Sequence, residues 1–141
     1  MLETYCVLIG EAKAIELFAS KLTMGQVCEY SPGFKLIPYT SAVHLELCEK
    51  YSENPPGGDI EGTVSLNGAT EQLAREASQG GKIAYLFEEH FGGWRDCDSV
   101  IWYNGNIIFG PTSEYEHQRT TFEKLGIDPQ YFSHFKKYDC R

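Results

Sequence analysis

The residues with the greatest capacity for chemistry lie in one short segment, 88–98, whose sequence is EEHFGGWRDCD. This segment combines four acids with a His, a Cys, an Arg and a Trp around two adjacent glycines. These residue types support three kinds of site: a surface that binds a protein partner, a nucleophilic centre, or a metal site. We interpret the segment as a surface loop between two strands, because paired glycines allow a sharp bend.

Partner binding is the functional interpretation that we favour for this segment. The alternative is a purely structural segment, in which the glycines form a bulge or tight connection, the Trp packs on the sheet and the charges face water. Trp and Arg are enriched among the residues that dominate binding energy at protein interfaces, and clustered carboxylates attract a cationic partner. The candidate partner-binding residues are Glu88, Glu89, Trp94, Arg95, Asp96 and Asp98. The sequence therefore predicts an acidic recognition surface that contains one aromatic anchor.

Two alternatives assign chemistry to the same segment. In the first, the chain is a small hydrolase-like enzyme in which Cys97 is the nucleophile and His90 is its base. In the second, Glu88, His90, Asp96 and Asp98 supply nitrogen and oxygen ligands to a metal. Because no known nucleophilic-Cys motif surrounds Cys97, we predict no catalytic residue, no metal and no cofactor.

The other cysteines and histidines give weaker signals. Cysteines at positions 6, 28, 48, 97 and 140 show no C-x-x-C spacing, which is typical of reduced thiols in a cytosolic protein. His44 and Cys48 are four residues apart and share a face if their segment is helical. Two ligands do not complete a zinc site, so we expect a polar His beside a buried Cys.

Composition narrows the class of protein. A chain of 141 residues with 42% apolar and 23% charged residues is typical of one globular domain. Twenty acids against twelve Lys and Arg residues give a net charge of −8, which disfavours nucleic acid and anionic membranes. The charge leaves open a basic protein partner, and the alternative is a solvated acidic surface that aids solubility. The apolar stretch 5–9 is shorter than the core of a secretory signal, so we predict a cytoplasmic location.

Hydrophobic spacing and turn residues predict the elements that position these side chains. The apolar residues of segment 40–51 fit both the helical and the strand period, and we favour a helix because Thr40 can cap it. Residues 52–59 are predicted to form a surface loop, because they contain Pro55-Pro56-Gly57-Gly58. The predicted strands are 2–9, 26–30, 34–39, 60–66, 82–91, 100–103 and 106–109. The other predicted helices are 11–22, 69–78, one from a capping box at 113–116 to Leu125, and one that starts at Asp128-Pro129.

Residues that favour turns predict where strands and helices end in the second half of the chain. Asn104-Gly105 predicts a tight hairpin turn, because a type I′ turn needs positive φ at both central residues. Gly110-Pro111 is predicted to end the following strand, and Gly126 to end the helix after it. Strands and helices alternate without a strict βαβ rhythm. The sequence therefore predicts a single α+β domain, 1–141, with an antiparallel or mixed sheet and helices mainly on one face.

A family resemblance adds to this interpretation. The segments that carry it are Ile83-Ala84-Tyr85, Glu88 to Gly93, Val100-Ile101-Trp102, Asn104-Gly105 and Phe109-Gly110-Pro111. They resemble a group of small bacterial cytosolic proteins that are themselves similar to toxin-immunity proteins. The resemblance spans about a third of the chain and implies a binding protein without an active site.

Two functions outside that class stay open at the level of sequence. One is the Cys97–His90 enzyme, which requires the Cys97 sulfur to approach a His nitrogen in a concave pocket. The other is a structural protein that associates with itself through a sheet edge and buries an apolar patch at a symmetric contact. The favoured function is an immunity-type inhibitor that caps a basic toxin or enzyme.

Overall fold

A six-stranded antiparallel sheet organises the chain, in the strand order β2-β3-β1-β4-β5-β6. The computed structural model describes residues 3–51, 66–91, 94–113 and 117–131. Its strands are β1 (Glu3–Glu11), β2 (Cys28–Ser31), β3 (Phe34–Pro38), β4 (Ile83–Phe91), β5 (Trp94–Tyr103) and β6 (Asn106–Thr112). Its helices are α1 (Ala12–Ser20), α2 (Ser41–Lys50), α3 (Gly68–Ala77) and α4 (His117–Leu125). The predicted α+β class is confirmed.

The two faces of the sheet carry different helices. In β1, Cys6 and Leu8 join the core that includes buried residues of α1, α2 and α3, whereas Val7 and Ile9 join the core that includes α4. This alternation follows from the strand period of two, which sends successive side chains to opposite faces. Helices therefore lie mainly, but not wholly, on one face.

The ambiguous segment 40–51 is helical, as predicted. The Thr40 hydroxyl accepts a hydrogen bond from the backbone N–H of Val43 at 3.3 Å, which caps the first turn of α2. Val43 and Leu47 are fully buried on one helical face, whereas Leu45 is exposed. Leu45 is apolar although it faces solvent. For this reason Val43, Leu45 and Leu47 alternate in the sequence as they would in a strand.

Two predicted boundaries are wrong. Residues 88–91 and 94–98 are strand residues and not a loop, because β4 and β5 pair continuously up to Phe91 opposite Trp94. Gly110-Pro111 does not end β6, which continues to Thr112. The ladder between β5 and β6 shifts register between Ser99 and Ile101, and such an irregularity at the last strand of the described sheet accommodates a proline that cannot donate.

Several other predictions lie partly or wholly outside the described residues. These are the loop 52–59, most of the strand 60–66, the acids of the capping box 113–116 and the chain beyond 131. Within the described part, Gly126 ends α4 with φ of 93° and donates its N–H to the Phe122 carbonyl at 3.1 Å, as predicted. Asp128 accepts from the backbone N–H of Gln130 at 3.1 Å, and the following residues, 129–131, have 3-10 conformation.

The Asn104-Gly105 turn is the predicted type, since φ is 53° at Asn104 and 80° at Gly105. It also docks onto the end of α3. Gly105 donates its N–H to the Ser78 hydroxyl at 2.8 Å, and its carbonyl accepts from the Arg75 guanidinium at 2.9 Å. The turn therefore connects the β5–β6 hairpin to the helical layer.

Replacing Gly105 with Val is expected to lower the free energy of unfolding by about 1–3 kcal/mol, because a β-branched residue at positive φ is strained. A Cβ at this position would also lie 3.0 Å from the Gln79 side-chain nitrogen. Urea denaturation of the two proteins measures the difference. An unchanged midpoint and slope would contradict this role of the turn.

Candidate functional site

The segment with the candidate partner-binding residues is the paired end of the β4–β5 hairpin. In its ladder Glu88 lies opposite Cys97, and Glu89 lies opposite Asp96. Glu89 and Asp96 are both partly exposed. Residues directly opposite each other in an antiparallel pair lie on the same face of the sheet, so both carboxylates belong to one face of the hairpin.

Glu88 and Asp98 do not belong to an exposed acidic rim. Glu88 is only 4% exposed and accepts a hydrogen bond from the Tyr5 hydroxyl, and Asp98 is fully buried. The Ser113 hydroxyl donates to Asp98 Oδ1 at 3.0 Å. Burial corrects the expectation for these two acids: they are internal acceptors, and the acids with exposed surface in this set are Glu89 and Asp96.

Trp94 and Arg95 are described only in their backbone. They form the first two residues of β5, with Trp94 opposite Phe91 and Arg95 opposite His90. Their side chains lie outside the described part of the chain, as do those of Phe91 and His90. The expected exposure of the aromatic anchor is therefore still a prediction.

Cys97 is buried, with 3% of its surface exposed, and its thiol donates to the Ser113 carbonyl at 3.4 Å. This environment suits a structural thiol better than a nucleophile, because attack requires an accessible sulfur. The ladder offsets Cys97 from His90, which pairs with Arg95. Among the described residues no group of three or more His, Cys, Asp or Glu side chains is arranged to hold a metal ion.

A different Cys and His do come together, on α2. Cys48 Sγ lies 3.6 Å from His44 Nε2, and both side chains are partly exposed. At the other ring nitrogen, His44 Nδ1 lies 3.0 Å from the Tyr39 hydroxyl and 3.2 Å from Asn67 Nδ2. We call Tyr39, His44, Cys48 and Asn67 the α2 polar cluster. It joins the end of β3, one face of α2 and the start of α3.

The hydrogen-bond pattern of the cluster assigns the His44 tautomer. Asn67 is the N-cap of α3, where its Oδ1 accepts from the Thr70 backbone N–H at 2.8 Å. Its Nδ2 must therefore face His44, and an amide nitrogen can only donate. His44 Nδ1 is then the acceptor, and Nε2 carries the proton and points it toward Cys48.

Tyr39 contributes a neutral hydroxyl to this cluster. Burial raises the pKa of Tyr39 well above its ordinary value, so the hydroxyl keeps its proton. Its oxygen lies 2.7 Å from the Thr70 hydroxyl, and its ring packs edge-on against Tyr85, whose own hydroxyl accepts from Cys6 at 3.2 Å. The cluster is thus held to the sheet by packed aromatic rings.

Glu46, on α2, holds the loop that precedes β2 in place. Its carboxylate accepts from the backbone N–H groups of Thr23 and Met24, at 2.7 and 2.8 Å, and from the Thr23 hydroxyl. The bond from the Thr23 N–H in particular lowers the pKa of the Glu46 carboxyl below its usual range. This contact helps to fix α2, and so His44 and Cys48, relative to the sheet.

The sequence indicates some of these partnerships and misses others. The i, i+4 spacing of His44 and Cys48 predicts their contact, which the structure confirms, although Cys48 is partly exposed rather than buried. No sequence signal pairs Tyr5 with Glu88 or Ser113 with Asp98, because strand register brings those residues together. Asn67 carries one missed signal: an Asn just before a helical pattern is a typical N-cap.

Comparison with known proteins gives no relative: no family model, no curated protein and no solved structure matches this chain. Cys6, Cys28, Cys48 and Cys97, the cysteines in the described part, form no disulfide with one another. Within the same residues, no helix has the length and apolar character needed to cross a membrane.

Proposed function

We propose that this chain is a non-enzymatic binding protein, most specifically an immunity-type inhibitor that caps a basic toxin or enzyme. The observation that carries the proposal is the facing pair of partly exposed acids, Glu89 and Asp96, at the end of the β4–β5 hairpin. Two partly exposed carboxylates on the same face of the hairpin attract a cationic side chain of the partner.

The charge of the whole chain supports the same class of partner. A net charge of −8 attracts a basic protein over several ångströms and speeds the encounter, with an effect that falls as ionic strength rises. Trp94, which begins β5 two residues before Asp96, is the aromatic residue that we expect to anchor the contact.

The enzyme alternative draws less support from the same hairpin. Cys97 is nearly inaccessible and its thiol already donates to the Ser113 carbonyl, so its use as a nucleophile would require that strand to open. Glu88 and Asp98 are buried, so we assign them no direct contact with the partner.

The test starts by identifying the partner through affinity capture from the native cell and through inspection of the neighbouring genes for a toxin-like reading frame. Binding kinetics are then measured at low and high salt for wild type and for the double variant Glu89→Gln/Asp96→Asn. We expect the variant to associate about tenfold more slowly at low salt, with a smaller difference at high salt and little change in dissociation.

Glu49→Gln/Glu123→Gln is the matched control, because it removes the same charge from two exposed acids on α2 and α4, which are not part of the hairpin. Trp94→Ala should instead mainly accelerate dissociation. Equal association rates for the two charge variants would contradict the proposed surface. A captured partner that is acidic would contradict the class of partner itself.

A further inference from the structure

Cys48 and His44 form a thiol–imidazole pair on a surface that the proposed binding function does not use. The described cysteines differ sharply in their environment. Cys6 and Cys97 are 6% and 3% exposed, and their thiols donate to the Tyr85 hydroxyl and the Ser113 carbonyl. Cys28, like Cys48, is partly exposed, and it packs against the core on the α4 face of the sheet. Cys48 is partly exposed and contacts an imidazole nitrogen.

The orientation of the imidazole decides what this pair can do. Because Asn67 donates to His44 Nδ1, the proton on Nε2 points at Cys48 Sγ. His44 in this tautomer cannot accept the thiol proton, so it is not a general base for hydrolysis. An N–H donor aimed at sulfur can instead hydrogen-bond a thiolate, which is the nucleophilic form of cysteine.

We propose that Cys48 is a thiol-exchange site that forms mixed disulfides with low-molecular-weight disulfides, with His44 as its hydrogen-bond donor and Asn67 as the residue that orients His44. Exchange fits the observed groups because it needs an accessible thiolate and no base or oxyanion-stabilising donors. An acyl-transfer reaction would need both a base and oxyanion-stabilising donors.

The reaction balances without an added oxidant. The Cys48 thiol releases its proton to solvent, and Sγ attacks one sulfur of the small disulfide. A bond forms between these two sulfurs while the original S–S bond breaks, and the other half leaves as a thiolate that takes the electron pair and a proton from solvent. One disulfide and one thiol are consumed, and one mixed disulfide and one thiol are produced.

The experiment uses the folded full chain with Cys140→Ser, because Cys140 lies outside the described residues. The probe is dithiodipyridine, a neutral aromatic disulfide that releases a coloured thione, and peptide mass spectrometry identifies the modified cysteine. We expect the first equivalent to react at Cys48. His44→Leu should slow that reaction about fivefold at neutral pH, and His44→Gln, which keeps an N–H donor, should restore it to within about twofold.

Cys28→Ser is the matched control and should leave the fast phase unchanged. Protection of Cys6 and Cys97 in the same digest reports that each variant is folded. Faster modification of Cys28 than of Cys48 would overturn the proposal, as would a folded His44→Leu variant that reacts as fast as its parent. If His44→Leu exposes Cys6 and Cys97, the His44→Gln rate and the ratio of Cys48 to Cys28 labelling decide the question.

Discussion

Replacing Gly10 with Ala is expected to lower the free energy of unfolding by about 3 kcal/mol, because the added methyl group meets backbone that cannot yield. A Cβ on Gly10 would lie 2.3 Å from the Lys82 carbonyl oxygen and 2.8 Å from Ile83 Cα. These atoms belong to the start of β4, where it runs beside the end of β1.

Hydrogen bonds on both sides hold that contact in place. The Glu11 backbone N–H donates to the Lys82 carbonyl at 2.9 Å, and the Lys82 N–H donates to the Glu11 carboxylate at 2.6 Å. Moving Lys82 away from a methyl group at position 10 would lengthen both bonds. The strain at this contact therefore cannot be relieved without weakening the hydrogen bonds between Glu11 and Lys82.

Gly25→Ala provides the comparison, measured by urea denaturation under the same conditions. A Cβ at Gly25 would meet the Leu22 Cδ1 methyl at 3.3 Å, and a flexible side chain can rotate away. We expect this control to change stability by less than about 1 kcal/mol. Equal losses for the two variants would show that Gly10 is not a point of close backbone approach.

The elements that could be predicted are those with signals confined to a few neighbouring residues. Thr40 caps α2, Asn104-Gly105 turns the last hairpin, and Gly126 ends α4, all as predicted. Each depends on the conformational preference or hydrogen-bonding capacity of one or two residues, which holds whatever surrounds them.

The 88–98 segment could not be predicted correctly for the opposite reason. Its acids and glycines are typical of a loop, yet β1 pairs with β4 and β4 with β5, so that Tyr5, Glu88 and Cys97 lie in one row across three strands. The row brings the Tyr5 hydroxyl to the Glu88 carboxylate and buries both. The partners are 83 positions apart in the chain, so no local pattern reports the contact.

The α2 polar cluster could be predicted only in part from the sequence. Helical spacing predicts that His44 and Cys48 meet, but it does not supply the partner that orients the ring. Asn67 reaches His44 from 23 residues away, and only because it also caps α3 is its amide orientation fixed. The chemistry of the pair therefore depends on a tertiary contact, although its location follows from the sequence.

Trp102 carries the largest expected loss of stability. It is fully buried, lies opposite Ile83 in the β4–β5 ladder, and packs in the core that includes α1, α2 and α3. Trp102→Ala removes a side chain from a site that already excludes water, so the loss combines the lost transfer free energy with the cavity that is left. We expect about 4 kcal/mol, measured by urea denaturation followed by circular dichroism.

Trp102→Phe tests the contribution of the indole N–H to stability separately from that of the aromatic ring. Trp102 Nε1 is buried and meets no hydrogen-bond acceptor among the described residues, so replacing it with a carbon atom abandons no bond and removes an unsatisfied donor. The Phe variant should therefore lose only about 1–2 kcal/mol, from its smaller volume. The adjacent Tyr103 is 42% exposed, and Tyr103→Ala should cost less than either change at Trp102. A Phe variant as unstable as the Ala variant would contradict this account, because it would mean that the indole N–H makes a bond on which the core depends.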